Sequence, residues 1–366
     1  SYFRLEFVER RRWLTDRSYS DLVALCQLLP GPASSQVGMA LGLARAGWLG
    51  LLAAWAGFTL PSAVLMILFG FGVARYQGIL ESGWLHGLKI VAVAVVAQAV
   101  WGMARTLCPD RLRAGMALVA AVLTLALPSV FGQMVVIICS GLLGRWALKI
   151  EPAQGQLACS YPVSRRTGSV ALMLLVLPLV LLPVWVVASG SPLAVLLEGT
   201  YRAGALVFGG GHVVLPLLQT AVVQSGTVTT ADLLAGYGAA QAVPGPLFTF
   251  AAYLGALAKG PLGGWLGGLV LLAVIFLPAF LVLVGALPFW EALRHRKALQ
   301  ASIAGVNTGV VGILLAALYN PVWTSAIHDR WDAAMALVAF GLLALARTPP
   351  ILVVLLAAMT TWALPR

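Results

Sequence analysis

The chain has 366 residues, of which 61% are hydrophobic and 10% charged, with a formal charge of +11. Soluble domains carry about 25% charged residues, so an ordinary water-soluble fold is excluded. The basic excess does not indicate nucleic acid as a partner, because Lys and Arg sit in short loops between apolar runs, where positive-inside bias puts them.

In chain order, apolar runs cover about 20–44, 47–75, 84–105, 113–128 and 130–148. A polar linker, "EPAQGQLACSYPVSRRTG", fills 151–168. Further runs cover about 168–189, 193–222, 231–259, 262–290, 298–319, 331–347 and 351–364. They are continuous rather than alternating. That predicts an all-α polytopic membrane protein in a lipid bilayer and argues against a barrel. The opening "SYFRLEFVERRRWL" is basic and amphipathic and shows no cleavable signal peptide. Cys26, Cys108, Cys139 and Cys159 form no metal-ligand spacing and read as small hydrophobes.

Four motifs recur in the same order. "QLLPGP" at Gln27 matches "QAVPGP" at Gln241, and "GWLG" at Gly47 matches "GWLG" at Gly264. Pro61 matches Pro278, and "MALVA" at Met116 matches "MALVA" at Met335. An ordered series of this kind predicts a duplication. The N-terminal repeat is expected over 1–150, a linker plus linking helix over 151–189, and the C-terminal repeat over 190–366. The basic residues then set the topology. Arg10–Arg12, Arg105, Arg111, Arg113, Arg145, Lys149, Arg165 and Arg166 share one side only if the first PGP segment enters and leaves on that side. A single linking helix flips the second half. The expected fold is therefore a pair of inverted structural repeats with broken or re-entrant helices.

Proline and its preceding residue resist helix geometry, so each PGP splits its segment. The freed backbone groups must line a cavity or be buried in protein. The half-helix that follows offers unpaired N–H groups and about half a positive charge, which suits an anion. The candidate binding residues are Gln27, Pro30, Gly31, Ser34 and Ser35 at the first break, and Gln241, Pro244, Gly245 and Thr249 at the second. Gln27 and Gln241 suit the freed backbone groups as well as a ligand, and the serines and Thr249 suit helix capping. A third break is expected at "VFGGGHVVLP", with Gly209, Gly210, Gly211 and His212 as candidates.

Lys89 lies inside an apolar run and Arg202 precedes the glycine break, and both can attract anions or snorkel. Arg202 also has Glu198 four residues back as an ion-pair partner. Asn307 falls in the run equivalent to that of Lys89 and needs a partner there. Asp21 and Asp232 are candidate proton carriers. No metal cluster, cofactor motif or catalytic triad is visible, which argues against a membrane-embedded enzyme.

With "FVERRRWL…YSDLVALCQLLPGPASSQVG", the repeated "QxxPGP" and "FGGGH", the chain resembles the chromate ion transporter family in its two-domain form. The resemblance covers nearly the whole sequence. It implies a bacterial inner-membrane exporter of chromate that confers resistance, with sulfate as the isosteric anion. A carrier or channel for sulfate or another oxyanion is the alternative, and a membrane enzyme or scaffold is the alternative of another class. A homodimer is one assembly open to it. The family pattern also carries a glycine motif ahead of its counterpart of residues 2–14. This sequence starts just after that point, so the N-terminal repeat is expected to lack that segment.

Overall fold

The structure is a computed structural model that describes residues 2–75, 84–149, 161–224, 226–258, 263–294 and 296–363. Among the described residues every regular element is helical. The main helices are α1 (Asp16–Leu28), α2 (Ala33–Arg75), α3 (Trp84–Leu107), α4 (Arg111–Ala126), α5 (Val130–Ala147), α6 (Arg165–Ser189) and α7 (Pro192–Leu206). They continue as α8 (Val214–Gln224), α9 (Thr230–Ala240), α10 (Phe250–Leu257), α11 (Gly264–Ala286), α12 (Lys297–Ala317), α13 (Arg330–Ala344) and α14 (Pro350–Ala363). Cys159 of the polar linker lies outside the described residues.

Six helical stretches, those built on α2, α3, α5, α6, α11 and α12, are long and apolar enough to cross a membrane. The protein is thus an all-α, multi-pass membrane protein. α6 shows why the environment is lipid. It has 25 residues, and at 1.5 Å per residue it spans roughly 37 Å, more than a hydrocarbon core of about 30 Å. Val170, Met173, Val180, Val184 and Val187 on it are all exposed, as are Leu118, Val122, Ile138 and Leu142 on α4 and α5. Water would penalise such a surface; acyl chains do not.

Small residues set the helix crossings. Gly144 of α5 faces Gly305 of α12, and Ser140 faces Gly309. Gly312 of α12 lies on the Ala117 carbonyl of α4, and Gly204 of α7 lies on the Ile275 carbonyl of α11. A side chain at any of these glycines would push backbones apart, which is how glycine works in membrane interfaces. The chain also exchanges partners across its length. α3 packs on α13 and α14, whereas α12 packs on α4 and α5.

The three expected breaks are present. α1 stops at Leu28 because Leu29, one residue before Pro30, is extended (φ −85°, ψ 148°). α9 stops at Ala240, and the chain resumes as a 3-10 turn at Leu247–Thr249 before α10. Gly31 and Gly245 both hold positive φ, at 117° and 154°, a region costly for residues with a Cβ. The third break separates α7 from α8, with φ 74° at Gly209 and 149° at Gly210.

Two of the broken segments fold back on themselves. Gly199 of α7 packs against Ala221 of α8, each eleven residues from Gly210. The Tyr253 hydroxyl of α10 donates to the Asp232 carbonyl of α9 at 2.9 Å, which a straight segment would hold far apart. The half-helices α7 to α10 have 8–15 residues, roughly 12–22 Å, so none spans the hydrocarbon alone.

Candidate functional site

The site is built where two breaks meet. The Gly31 amide donates to the Val207 carbonyl at 2.7 Å, joining the first PGP break to the glycine break. Both groups lost their helical partners to the breaks, and each satisfies the other. Beside this clip opens a cavity of about 650 Å³. Gln27, Leu29 and Gly31 line it from the first break, Gly209 and Gly210 from the glycine break, and Asn307 from α12. Thr106, at the end of α3, and Gln300 complete its polar rim.

Among the described residues, no charged side chain lines this cavity. Its polarity comes from amides, hydroxyls and the start of α2, whose first residue Ala33 reaches the wall. The N–H groups of Ala33, Ser34 and Ser35 precede the first helical bond, from Gln36 N to the Pro32 carbonyl at 3.0 Å. Ser34 is exposed, and Ser35 is buried with its hydroxyl oxygen unpartnered. The Gln36 amide donates from Nε2 to the Pro30 carbonyl at 2.8 Å, closing a group that the break released.

The second PGP break lies elsewhere. None of Gln241, Pro244, Gly245 or Thr249 is among the residues that line this cavity. The glycine segment stands between them. Gly211 packs on Leu247, with 3.4 Å from the position of a Cβ to the leucine Cβ. The Thr249 hydroxyl donates to the Pro246 carbonyl at 2.9 Å, and Gln241 keeps a buried, unpartnered Nε2.

The titratable candidates are mostly engaged. His212 Nδ1 lies 2.8 Å from the buried Tyr237 hydroxyl, which ties the glycine segment to α9. Arg202 donates to Glu198 Oε1 at 2.7 Å, with both side chains 11% exposed. Asp232 accepts from the Thr229 hydroxyl at 2.7 Å in the first turn of α9. Lys89 is half-buried on α3, next to Leu88, whose carbonyl meets Gly238 of α9. Asp21 is half-buried on α1.

One cluster escaped sequence reading altogether. His86 Nε2 of α3 lies 2.9 Å from Asp332 Oδ1 of α13, and the His328 amide donates to Asp332 Oδ2 at 3.0 Å. The two imidazoles stack 5.7 Å apart. Nothing local links positions so distant in the chain.

Comparison with known proteins decides the family. The model of the family described as "Chromate transporter" matches residues 1–145 and 194–362. The chain belongs to the chromate transporter family. It is 27% identical to a "Chromate transport protein" of Pseudomonas aeruginosa, over 85% of this chain and 73% of that one. It is 26% identical to a "Probable chromate transport protein" of Synechococcus elongatus, over 92% of this chain and 82% of that one. A "Chromate transport protein" of Cupriavidus metallidurans is 25% identical, over 93% and 82% respectively. No solved structure matches the chain. As a chromate-transporter-family member it is a multi-pass bacterial membrane protein.

Proposed function

We propose that this chain exports chromate across the bacterial inner membrane and thereby confers resistance to it. The observation that carries the reading is the family match over both halves, joined to a cavity walled by broken helices. Chromate and sulfate are both tetrahedral dianions. A wall of neutral donors and a helix start reads shape and charge and needs no redox-active residue. Transport without chemical change of the anion follows, and sulfate is then a competing ligand.

The two halves, 1–150 and 190–366, act in this reading as inverted repeats joined through 151–189. The exchanged packing supports it, since α3 pairs with the last two helices of the late half and α12 pairs with α4 and α5 of the early half. A single linking helix, α6, is what inversion requires.

The inside-negative potential favours exit of a dianion. At 100 mV the gain is about 4.6 kcal/mol for two charges, at about 2.3 for each. Export by uniport therefore needs no uphill step. The test uses everted vesicles with potential and pH gradient set independently. Chromate should accumulate in vesicles held inside-positive, sulfate should compete, and nitrate should compete poorly. Accumulation that follows only the pH gradient would overturn uniport and direct attention to Asp21, Asp232 and His212. Absence of chromate accumulation under every condition would overturn chromate export itself.

A further inference from the structure

One peptide unit joins the two breaks that wall the cavity, and it is held at both ends. The Pro30 carbonyl accepts from Gln36 Nε2 at 2.8 Å, and the amide of the same peptide, on Gly31, donates to the Val207 carbonyl at 2.7 Å. Gln36 is fully buried in the first turn of α2. Its backbone N–H closes the first bond of that helix, while its side chain turns back over the break. The amide nitrogen lies 3.0 Å from where a Cβ on Gly31 would stand. The atom that faces Pro30 must be the nitrogen, because a carbonyl oxygen only accepts.

The other amide atom, Oε1, is enclosed and has no hydrogen-bond partner. Burying such an oxygen is unfavourable. Methionine would fill much the same space without it, so what Gln36 contributes beyond volume is its donor. The amide has no counterpart at the second PGP break. There the matched residue is Phe250, which has no side-chain donor, and Gln241, Pro244, Gly245 and Thr249 are not among the cavity-lining residues. The donor is thus found at the break that forms the wall.

We infer that Gln36 is a positioning residue for anion binding: its amide fixes the Pro30–Gly31 peptide, and through the Gly31–Val207 bond it sets the first break against the Gly209–Gly210 backbone. The inference rests on the anion-transport reading and adds a residue that holds the cavity wall rather than the anion. A donor on a peptide carbonyl polarises the peptide and strengthens the bond its N–H makes, so the two hydrogen bonds support one another. Leu29 and Gly31 line the cavity on one side of this chain of bonds, and Gly209 and Gly210 on the other, just beyond Val207. Without the Gln36 donor the Pro30 carbonyl is left unsatisfied, and the two walls are freer to separate. The anion then binds only those molecules whose walls are in register, and its apparent affinity falls by that fraction.

Two measurements on the purified full chain in lipid nanodiscs test this. Hydrogen exchange with no anion present reports on the backbone around Gly31 and Gly209–Gly211. Gln36→Met keeps the length and loses the donor; it should exchange faster there and at the wild-type rate in the distant α13. Equilibrium binding of radiolabelled sulfate, and separately of chromate, should be about tenfold weaker in the same variant. Gln36→Glu should bind more weakly still at about pH 8, where the new carboxylate repels both the Pro30 carbonyl and the dianion. As the pH falls to about 4.5 the acid regains a donor, and its affinity relative to wild type should rise above that of Gln36→Met. Loss of the charge alone would bring it only to the methionine level. Unchanged exchange in Gln36→Met, or faster exchange with wild-type affinity, overturns the role of Gln36 and leaves the anion reading intact. Wild-type protein that holds neither anion overturns the anion reading and this inference with it. Size-exclusion profiles show whether each variant is folded; if the methionine variant is not, return of Gln36→Glu to near wild-type affinity at low pH decides, and its failure to return overturns the inference.

Discussion

Gly31 rests on Ala279: a Cβ built on Gly31 would come within 2.9 Å of the Ala279 methyl. Its counterpart Gly245 rests in the same way on Ser62, touching both its Cβ and its hydroxyl oxygen. Ser62 and Ala279 each follow the matched prolines, Pro61 and Pro278, in the long helices α2 and α11. Each PGP glycine is thus held by the long helix of the opposite half.

Both glycines also hold positive φ, so a methyl there meets two obstacles. Gly31→Ala and Gly245→Ala are each expected to destabilise by more than about 1 kcal/mol from backbone strain, with the clash added. Space should then be recoverable at the partner. Ala279→Gly should restore part of the loss in Gly31→Ala but not in Gly245→Ala, and Ser62→Gly should do the reverse. Thermal unfolding of the single and double variants gives the coupling energies. Equal rescue by either partner would mean that the contacts are not those described.

Gly210 presents a different case. It holds φ 149°, and a Cβ built on it would find Met103 Sδ nearest, at 4.0 Å. Gly210→Ala is therefore strained but not crowded, and a stability loss of about 1 kcal/mol is expected. Its methyl would stand at the cavity wall, so chromate transport should fall further than stability does. Vesicle transport compared with unfolding temperature separates the two effects.

Glu198 and Arg202 form an ion pair with little exposure on either side. Removing one partner leaves a charge with poor solvation, which costs about 3–5 kcal/mol in buried pairs. Glu198→Leu and Arg202→Leu should each be markedly destabilised. The double leucine variant should be closer to wild type than either. If Arg202→Leu is as stable as wild type, the pair is better solvated than its geometry implies.

Asp332 holds two parts of the chain together, since its carboxylate meets His86 from α3 and the His328 amide beside α13. Asp332→Ala should lower stability by about 1.5–3 kcal/mol through the lost charged hydrogen bonds. Chromate affinity should be unchanged, because Asp332 does not line the cavity. Binding lost without loss of stability would contradict this assignment.

Thr249 and Ser34 were equal candidates in the sequence, and the structure separates them. The Thr249 hydroxyl is committed to Pro246, whereas Ser34 is exposed at the start of α2. Thr249→Val is expected to cost about 1 kcal/mol in stability and little in chromate affinity. Ser34→Ala, at an exposed helix start outside the cavity lining, should leave stability close to wild type. Titration of both variants with chromate, alongside their unfolding temperatures, checks the contrast.

The sequence by itself determined the class, the three breaks and the repeated motifs. These are local properties: hydropathy acts run by run, and Pro30, Gly31, Pro244, Gly245 and Gly209–Gly211 disrupt helix geometry wherever they occur. The Glu198–Arg202 pair was legible for the same reason, being one helical turn apart. Tertiary structure alone decided which break faces which. The Gly31–Val207 bond joins groups far apart in the chain, and it places the glycine segment between the two PGP breaks, leaving Thr249 outside the cavity. The exposure of Asn307 to that cavity, and the meeting of His86 with Asp332, depend on how α12 and α3 cross their neighbours. Such crossings are set by glycine-to-backbone contacts between distant helices, and a periodic pattern within one helix carries no record of its partner.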